Sequence, residues 1–228
     1  MLYSILNGDL SMGMVVMYIL AVTITVMLIL PFHELAHGFI AYKLGDNTAK
    51  REGRLTLNPL YHIDYIGALC LLLVGFGWAK PVPVNMRNFR NPRRDMAIVA
   101  LAGPAANLIA ALAGAILMTI FVIIGYKADM NTNVSDLILG FFEYYIQVNV
   151  GLAVFNLVPL PPLDGSKILG AFLPTEVYVK QLQYERYLSI ALLVLIWLGI
   201  VDKVIGVPTS LIVTGLYTLV YKIVMLVI

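Results

Sequence analysis

Uncharged apolar runs occupy residues 10–32, 96–126, 144–163, 187–201 and 204–221, with a shorter run at 65–79. Runs near or above about 20 residues are long enough, as helices, to cross a hydrocarbon core of about 30 Å. The pattern predicts helices from about Gly13 to Leu44, from Arg94 to Tyr126, and from beyond a polar loop at 127–136 to a stop before Pro159, Pro161 and Pro162. Two more follow, from Glu176 to Ile200 and from Pro208 to the C-terminus, joined by a turn containing Asp202, Lys203 and Gly206. Gly45 reads as the cap of the first helix, with Lys43 in its last turn. The 65–79 run is too short for a span and carries Gly67, Gly75 and Gly77, which predicts a non-spanning, re-entrant or strand-like insert. Around it, residues 45–94 are polar and basic, with turn signals at Asn58-Pro59, Lys80-Pro81, Pro83 and Asn91-Pro92. Short alternating pieces at 54–57 and 82–85 predict edge strands, where proline is tolerated.

The predicted fold is therefore an all-α polytopic membrane protein with about five transmembrane helices and a small β-containing insert at the membrane surface. It reads as a single membrane-embedded domain over residues 1–228, with a core at about 14–170, the insert at 45–94 and two additional helices at 176–228. Composition agrees: of 228 residues, 61% are hydrophobic and 12% charged, and the mean hydropathy is +0.89. That exceeds the apolar share of a soluble domain. A net charge of +2 gives no reason to expect nucleic acid. The single Cys70 excludes an internal disulfide and reads as a small apolar residue.

Charge placement sets an orientation. Nine of the fifteen Lys and Arg residues lie between Lys43 and Arg94, and Lys167, Lys180 and Arg186 lie between the third and fourth predicted helices. Basic segments stay cytoplasmic, so five spans put the N-terminus outside and the C-terminus inside. The first apolar run continues into His33 without a small-residue cleavage site, and is expected to be retained.

The candidate chemistry interrupts that first run. His33-Glu34-Leu35-Ala36-His37 is an H-E-x-x-H sequence on a predicted helix, preceded by 23 uncharged residues. Spacing of i, i+4 puts both imidazoles on one helix face, about 6 Å apart along the axis, where they can share one metal ion. Glu34, one position on, can take a proton from the attacking water and pass it to the leaving amine. The alternative is a hydrogen-bonded core histidine pair beside a neutral Glu34. Ionisable groups at mid-membrane cost about 2.5–3.5 kcal/mol each, which disfavours placing them there without a task.

A catalytic zinc ion needs a third protein ligand and an open position. Asp164 is the candidate, because Leu163-Asp164-Gly165 follows a proline-broken helix end where irregular backbone can turn a carboxylate inward. Its alternative is a helix N-cap. Asn156 lies two turns before Asp164 and can donate to a carbonyl oxygen, or serve as an interhelical hydrogen bond. Asn107, after Gly103-Pro104, reads as a packing element. His62 is a competing ligand in a polar setting beside Asn58 and Asp64.

Together, His33 to His37, Ala102-Gly103-Pro104-Ala105-Ala106-Asn107 and Phe155 to Gly165 (FNLVPLPPLDG) resemble the site-2 protease family of intramembrane metalloproteases. The resemblance implies one Zn2+ per chain held by His33, His37 and Asp164, with Glu34 as general base and Asn156 near the substrate. It also implies a membrane protein substrate offering a transmembrane helix within the lipid bilayer, and a multi-pass protein of a prokaryotic cell membrane. Leu57-Asn58-Pro59 with His62-Ile63-Asp64 resembles a compact subgroup without PDZ or CBS modules. Two other readings are an inactive relative that binds membrane helices and a divalent-metal transporter. Apart from Glu143, the intramembrane ionisable groups cluster at one level, which disfavours transport.

Overall fold

In the computed structural model, residues 19–20, 23–74, 77–128 and 132–227 are described. The chain divides into two compact units, one up to Asp95 and the other from Met96. Among the described residues, four helical stretches are long and apolar enough to cross a membrane: Thr25–Lys43, Pro92–Lys127, Ile138–Asn156 and Ile200–Val227. They make this a mainly helical protein suited to several membrane crossings.

In the first unit, a π-helical turn at Thr25–Ile29 leads into α1, Leu30–Lys43. Pro31 sits in the first turn of α1 and has no N–H for the carbonyl four residues back. The Leu30 N–H bonds instead to Thr25 O, the wide i to i−5 pattern. The helix ends where Gly45 and Lys43 predict, with the Asp46 N–H returning to Ala41 O at 2.9 Å. The predicted helical start near Gly13 lies outside the described residues.

The 45–94 insert is where the structure departs from the pattern. It contains short α2 (Thr48–Arg51), 3-10 turns at Pro59–Tyr61 and Met86–Asn88, and α3 (Tyr65–Val74). Among the described residues it contains no strand, so the expected small sheet is not found. Residues 77–85 form a strap without regular secondary structure, several of whose backbone groups are met by side chains. Arg54 Nη2 donates to the carbonyls of Lys80 and Pro81, Val82 N–H bonds to Glu34, and Asn85 N–H bonds to Asp46. Pro81 and Pro83 have no N–H to offer a ladder. The 65–79 insert is thus helical at its start; ten residues of α3 rise only about 15 Å, too short to span. Asp64 caps it by accepting from Gly67 N–H at 2.8 Å.

In the second unit, α4 (Pro92–Lys127) begins with proline at its first position and carries Pro104 inside. Helix α5 (Thr132–Asn156) packs against it through Ala111, Ala115, Ile146 and Val150. The polar loop before α5 is shorter than the 127–136 expected, since helix resumes at Thr132. Short α6 (Asp164–Gly170) is followed by α7 (Thr175–Trp197) and α8 (Ile200–Val227).

The last two helices differ in how well they suit a membrane crossing. Helix α7 carries Glu176, Lys180, Glu185 and Arg186 and is not among the four apolar stretches. Its far end packs with the end of α5: Leu192 joins Leu163 and Val201, with Phe155 and Val158 against them. The turn falls at Gly199, whose φ of 66° suits glycine, and not at 202–206. Pro208, expected to start the last helix, lies inside α8. Val201 meets the C-terminal end of α5 and Val220 meets Ile146 and Val150, so α8 runs antiparallel to α5.

Candidate metal centre

The H-E-x-x-H sequence lies in the middle of α1, where one face turns inward. His33 and His37 are both buried, at 5% and 8% exposure. Their Nε2 atoms are 3.0 Å apart, and the rings meet edge to face at 82°. Two nitrogens bound tetrahedrally to one zinc at 2.0–2.1 Å would stand about 3.3 Å apart. The histidine pair therefore has nearly the spacing that ligation of a single ion requires. An Nε2–H to Nε2 hydrogen bond fits the same distance, so the two rings also suit each other as a hydrogen-bonded pair.

Glu34 projects from the neighbouring position and is half-buried. Its Oε2 accepts the Val82 N–H at 2.8 Å, which fixes the carboxylate against the strap. One turn further along α1, Gly38 admits the strap. A Cβ there would lie 3.0 Å from Val82 Cγ1 and 2.8 Å from Leu55 Cδ2. A larger side chain there must displace the tips of Leu55 and Val82, the residue whose N–H reaches Glu34.

The strap is anchored at its other end by Asp46. This fully buried carboxylate accepts from Asn85 N–H at 2.7 Å, from Asn88 Nδ2 at 2.7 Å, and from both the hydroxyl and the N–H of Thr48. Burial pushes the Asp46 carboxyl up, but the donors from Thr48, Asn85 and Asn88 together outweigh it and hold the group below its ordinary value. Asp46, Val82, Gly38 and Arg54 are the residues that sequence reasoning missed. The one visible signal was Pro81-Val82-Pro83, an extended tripeptide with a single N–H.

His62 is placed otherwise. It is 1% exposed and its Nε2 contacts Thr56 O at 2.8 Å. A carbonyl only accepts, so Nε2 carries the hydrogen and serves the loop's backbone.

The remaining candidates belong to the second unit. Asp164 is the first residue of α6 and is buried, at 6% exposure. Leu163 holds the N-cap position, and Asp164 Oδ1 lies 3.2 Å from Lys167 Nζ. Asp164 thus stands one position past the N-cap, in the first turn of α6. Gly165 is required by close approach: a Cβ would come within 2.3 Å of Leu157 O. This wedges the start of α6 against the proline-rich turn and fixes Asp164 on buried backbone. Asn156, half-buried at the end of α5, donates from Nδ2 to Leu152 O at 3.0 Å within its own helix. Asn107 is fully buried in α4, with neither amide atom bonded to the protein.

The donor set suits zinc: two imidazoles at near-ligand spacing, with a buried carboxylate available elsewhere in the chain. Comparison with known proteins points the same way. The model of Peptidase family M50 matches residues 121–200, the segment that holds Asn156 and Asp164. "Putative zinc metalloprotease YwhC" of Bacillus subtilis (strain 168) is 46% identical over 75% of this chain and 78% of its own. "Putative zinc metalloprotease Rip2" of Mycolicibacterium smegmatis is 32% identical over 63% of this chain and 54% of its own. "Putative zinc metalloprotease MJ0611" of Methanocaldococcus jannaschii is 33% identical over 60% of this chain and 63% of its own. No solved structure matches. On the relative that this chain covers over more than three quarters of its length, and on the family model over Asn156 and Asp164, the chain belongs to Peptidase family M50.

Proposed function

We propose that this protein is an intramembrane zinc endopeptidase that hydrolyses peptide bonds of transmembrane or membrane-proximal segments. The observation that carries the reading is the buried His33–His37 pair on a helix apolar enough to cross a membrane, with Glu34 fixed between them by Val82 N–H. In this reading His33, His37 and Asp164 hold one zinc ion. When bound, zinc supplies Lewis-acid polarisation of the scissile carbonyl and lowers the pKa of water at the site.

The chain's own residues do the rest. Glu34 takes the proton of the attacking water on a carboxylate oxygen and delivers it to the leaving amine nitrogen. The Val82 hydrogen bond limits which way that carboxylate can turn, leaving Oε1 as the oxygen for proton transfer. Asn156 has an amide that can steady a substrate carbonyl once it gives up its bond to Leu152 O. A helical substrate must unwind locally, because intact i to i−4 hydrogen bonds shield its carbonyls. The 77–85 strap has no regular secondary structure and suits an unwound segment laid along it.

Turnover of a transmembrane peptide in liposomes by the zinc-loaded protein, with Glu34→Gln as control, tests the reading. Cleavage by the wild type that the variant lacks supports it. Equal cleavage by both overturns it. Zinc bound without cleavage of any of a broad set of membrane peptides would favour the inactive relative.

A further inference from the structure

Arg54 is buried, at 6% exposure, while Lys50, Arg51, Lys80, Arg87 and Arg90 of the same insert are exposed. Its place is set locally. Helix α2 ends in a Schellman motif: Gly53 takes a φ of 66°, its N–H bonds to Lys50 O at 3.1 Å, and the Arg54 N–H returns to Ala49 O at 2.8 Å. The turn delivers the Arg54 side chain to the strap, where Nη2 donates to Lys80 O at 2.9 Å and to Pro81 O at 3.2 Å.

Pro81 O belongs to the same peptide group as the Val82 N–H, and that N–H donates to Glu34 Oε2 at 2.8 Å. In a trans peptide the C=O and the N–H point to opposite sides of one rigid plane. This plane therefore carries a guanidinium on one edge and a carboxylate on the other. Hydrogen bonds in series polarise one another, so a cation on the carbonyl makes the N–H across the plane a stronger donor. Bracing the strap would need only a neutral donor, whereas a guanidinium is always charged and costly to take out of water. Among the described residues Arg54 meets carbonyls and makes no ion pair, and its Nε is buried without a partner. Its path to a negative charge runs through the peptide to Glu34.

We propose that Arg54 is a positioning residue for Glu34, its charge acting through the Pro81–Val82 peptide to strengthen and fix the donor that orients the carboxylate. This deepens the protease reading, in which Glu34 is the base, while the link itself is tested without cleavage.

The test uses the full chain in liposomes. Hydrogen exchange read by mass spectrometry on a fragment covering 80–83 reports on Lys80 and Val82 alone, since Pro81 and Pro83 have no amide hydrogen. Lys80 N–H, held by His62 O at 2.9 Å, is the internal reference. Arg54→Gln keeps a donor and loses the charge, and should speed exchange at Val82 at least about tenfold. Arg54→Lys keeps the charge and should stay within about threefold of the wild type. Equal exchange in all three proteins overturns the proposal. In turnover of a membrane peptide, Arg54→Gln should lower kcat at least about tenfold with KM and zinc content unchanged, and Arg54→Lys should restore most of it. Val82→Pro takes the N–H out of the shared peptide, so adding Arg54→Gln to it should cost nothing further. Additive losses would place the effect of Arg54 elsewhere and overturn the proposal. If Arg54→Gln does not insert, Gly53→Ala, which keeps the guanidinium and strains only the turn that aims it, takes its place in the same cycle. If the wild type cleaves no membrane peptide, the protease reading falls, and exchange at Val82 alone decides the link.

Discussion

The backbone N–H of Val82 donates to Oε2 of Glu34 at 2.8 Å, so a strap 48 positions further along the chain holds the residue beside His33. A hydrogen bond to a charged acceptor contributes about 1.5–3 kcal/mol, enough to choose one orientation of a short flexible side chain. Val82→Pro removes this donor in a segment that already runs between two prolines. Zinc content should be unchanged, while cleavage of a membrane peptide falls about 10- to 100-fold, the range that loss of positioning can cost. Unchanged turnover would show that the contact does not position Glu34.

Glu34→Gln keeps the size of the side chain and an oxygen for the Val82 N–H, and loses the base. The variant should insert, fold and bind zinc normally, and cleave at least about 100-fold more slowly. Zinc analysis and turnover measured on the same preparation check it.

Metal content separates the ligand candidates. His33→Ala, His37→Ala and Asp164→Ala should each lose zinc strongly, because each removes one of the three proposed protein ligands. His62→Ala should keep it, since Nε2 of that ring serves Thr56 O. Full zinc in Asp164→Ala with loss in His62→Ala would reverse the assignment.

Asp46 gives a pH signature. Its carboxyl is held below the ordinary value in the folded protein, so its contribution to stability is complete above the unfolded value of about 3.9 and is lost as pH falls through the folded value. The melting temperature in detergent should be flat from about pH 8 to 5 and drop below about pH 4. Asp46→Asn should lower the plateau and flatten the acid limb. An acid limb identical to the wild type's would place the titration elsewhere.

The four apolar helical stretches found among the described residues, with α8 antiparallel to α5, set an orientation that labelling can test. The basic insert and the 164–186 segment should face the cytoplasm, while residue 128 and the far end of α8 face outward. Cysteines at 88, 128, 180 and 225 on a Cys70→Ser background, labelled in intact cells with an impermeant reagent, test this. Labelling at 128 and 225 alone is expected; labelling at 88 would reverse the orientation.

Much of this was legible in the sequence because it depends on short-range spacing. Four residues between His33 and His37 suffice to put them on one helix face, whatever surrounds that helix. Hydrocarbon tolerates backbone only when its polar groups are bonded within the segment, so long uncharged runs could only be helices, and α4 and α5 fall where the pattern places them. Gly45 and the Pro159–Pro162 cluster mark helix ends for the same local reasons.

The insert and the last two helices were settled by contacts between distant residues. The 82–85 alternation looks like a strand, yet Pro81 and Pro83 withhold donors and the groups that remain are met by Glu34, Asp46 and Arg54. Helix α7 has an apolar half, but its charges at 176, 180, 185 and 186 set it apart from the four apolar stretches, and its far end packs at Leu163. The sequence by itself determined the spacing of His33 and His37, the carboxylate of Glu34 beside them and the apolar helices, since each follows from the pattern within one segment. Only tertiary structure decided that Val82 holds Glu34, that Gly38 makes room for it and that Asp46 anchors the strap. Hydrogen-bond partners separated by tens of residues leave no periodic trace in a chain.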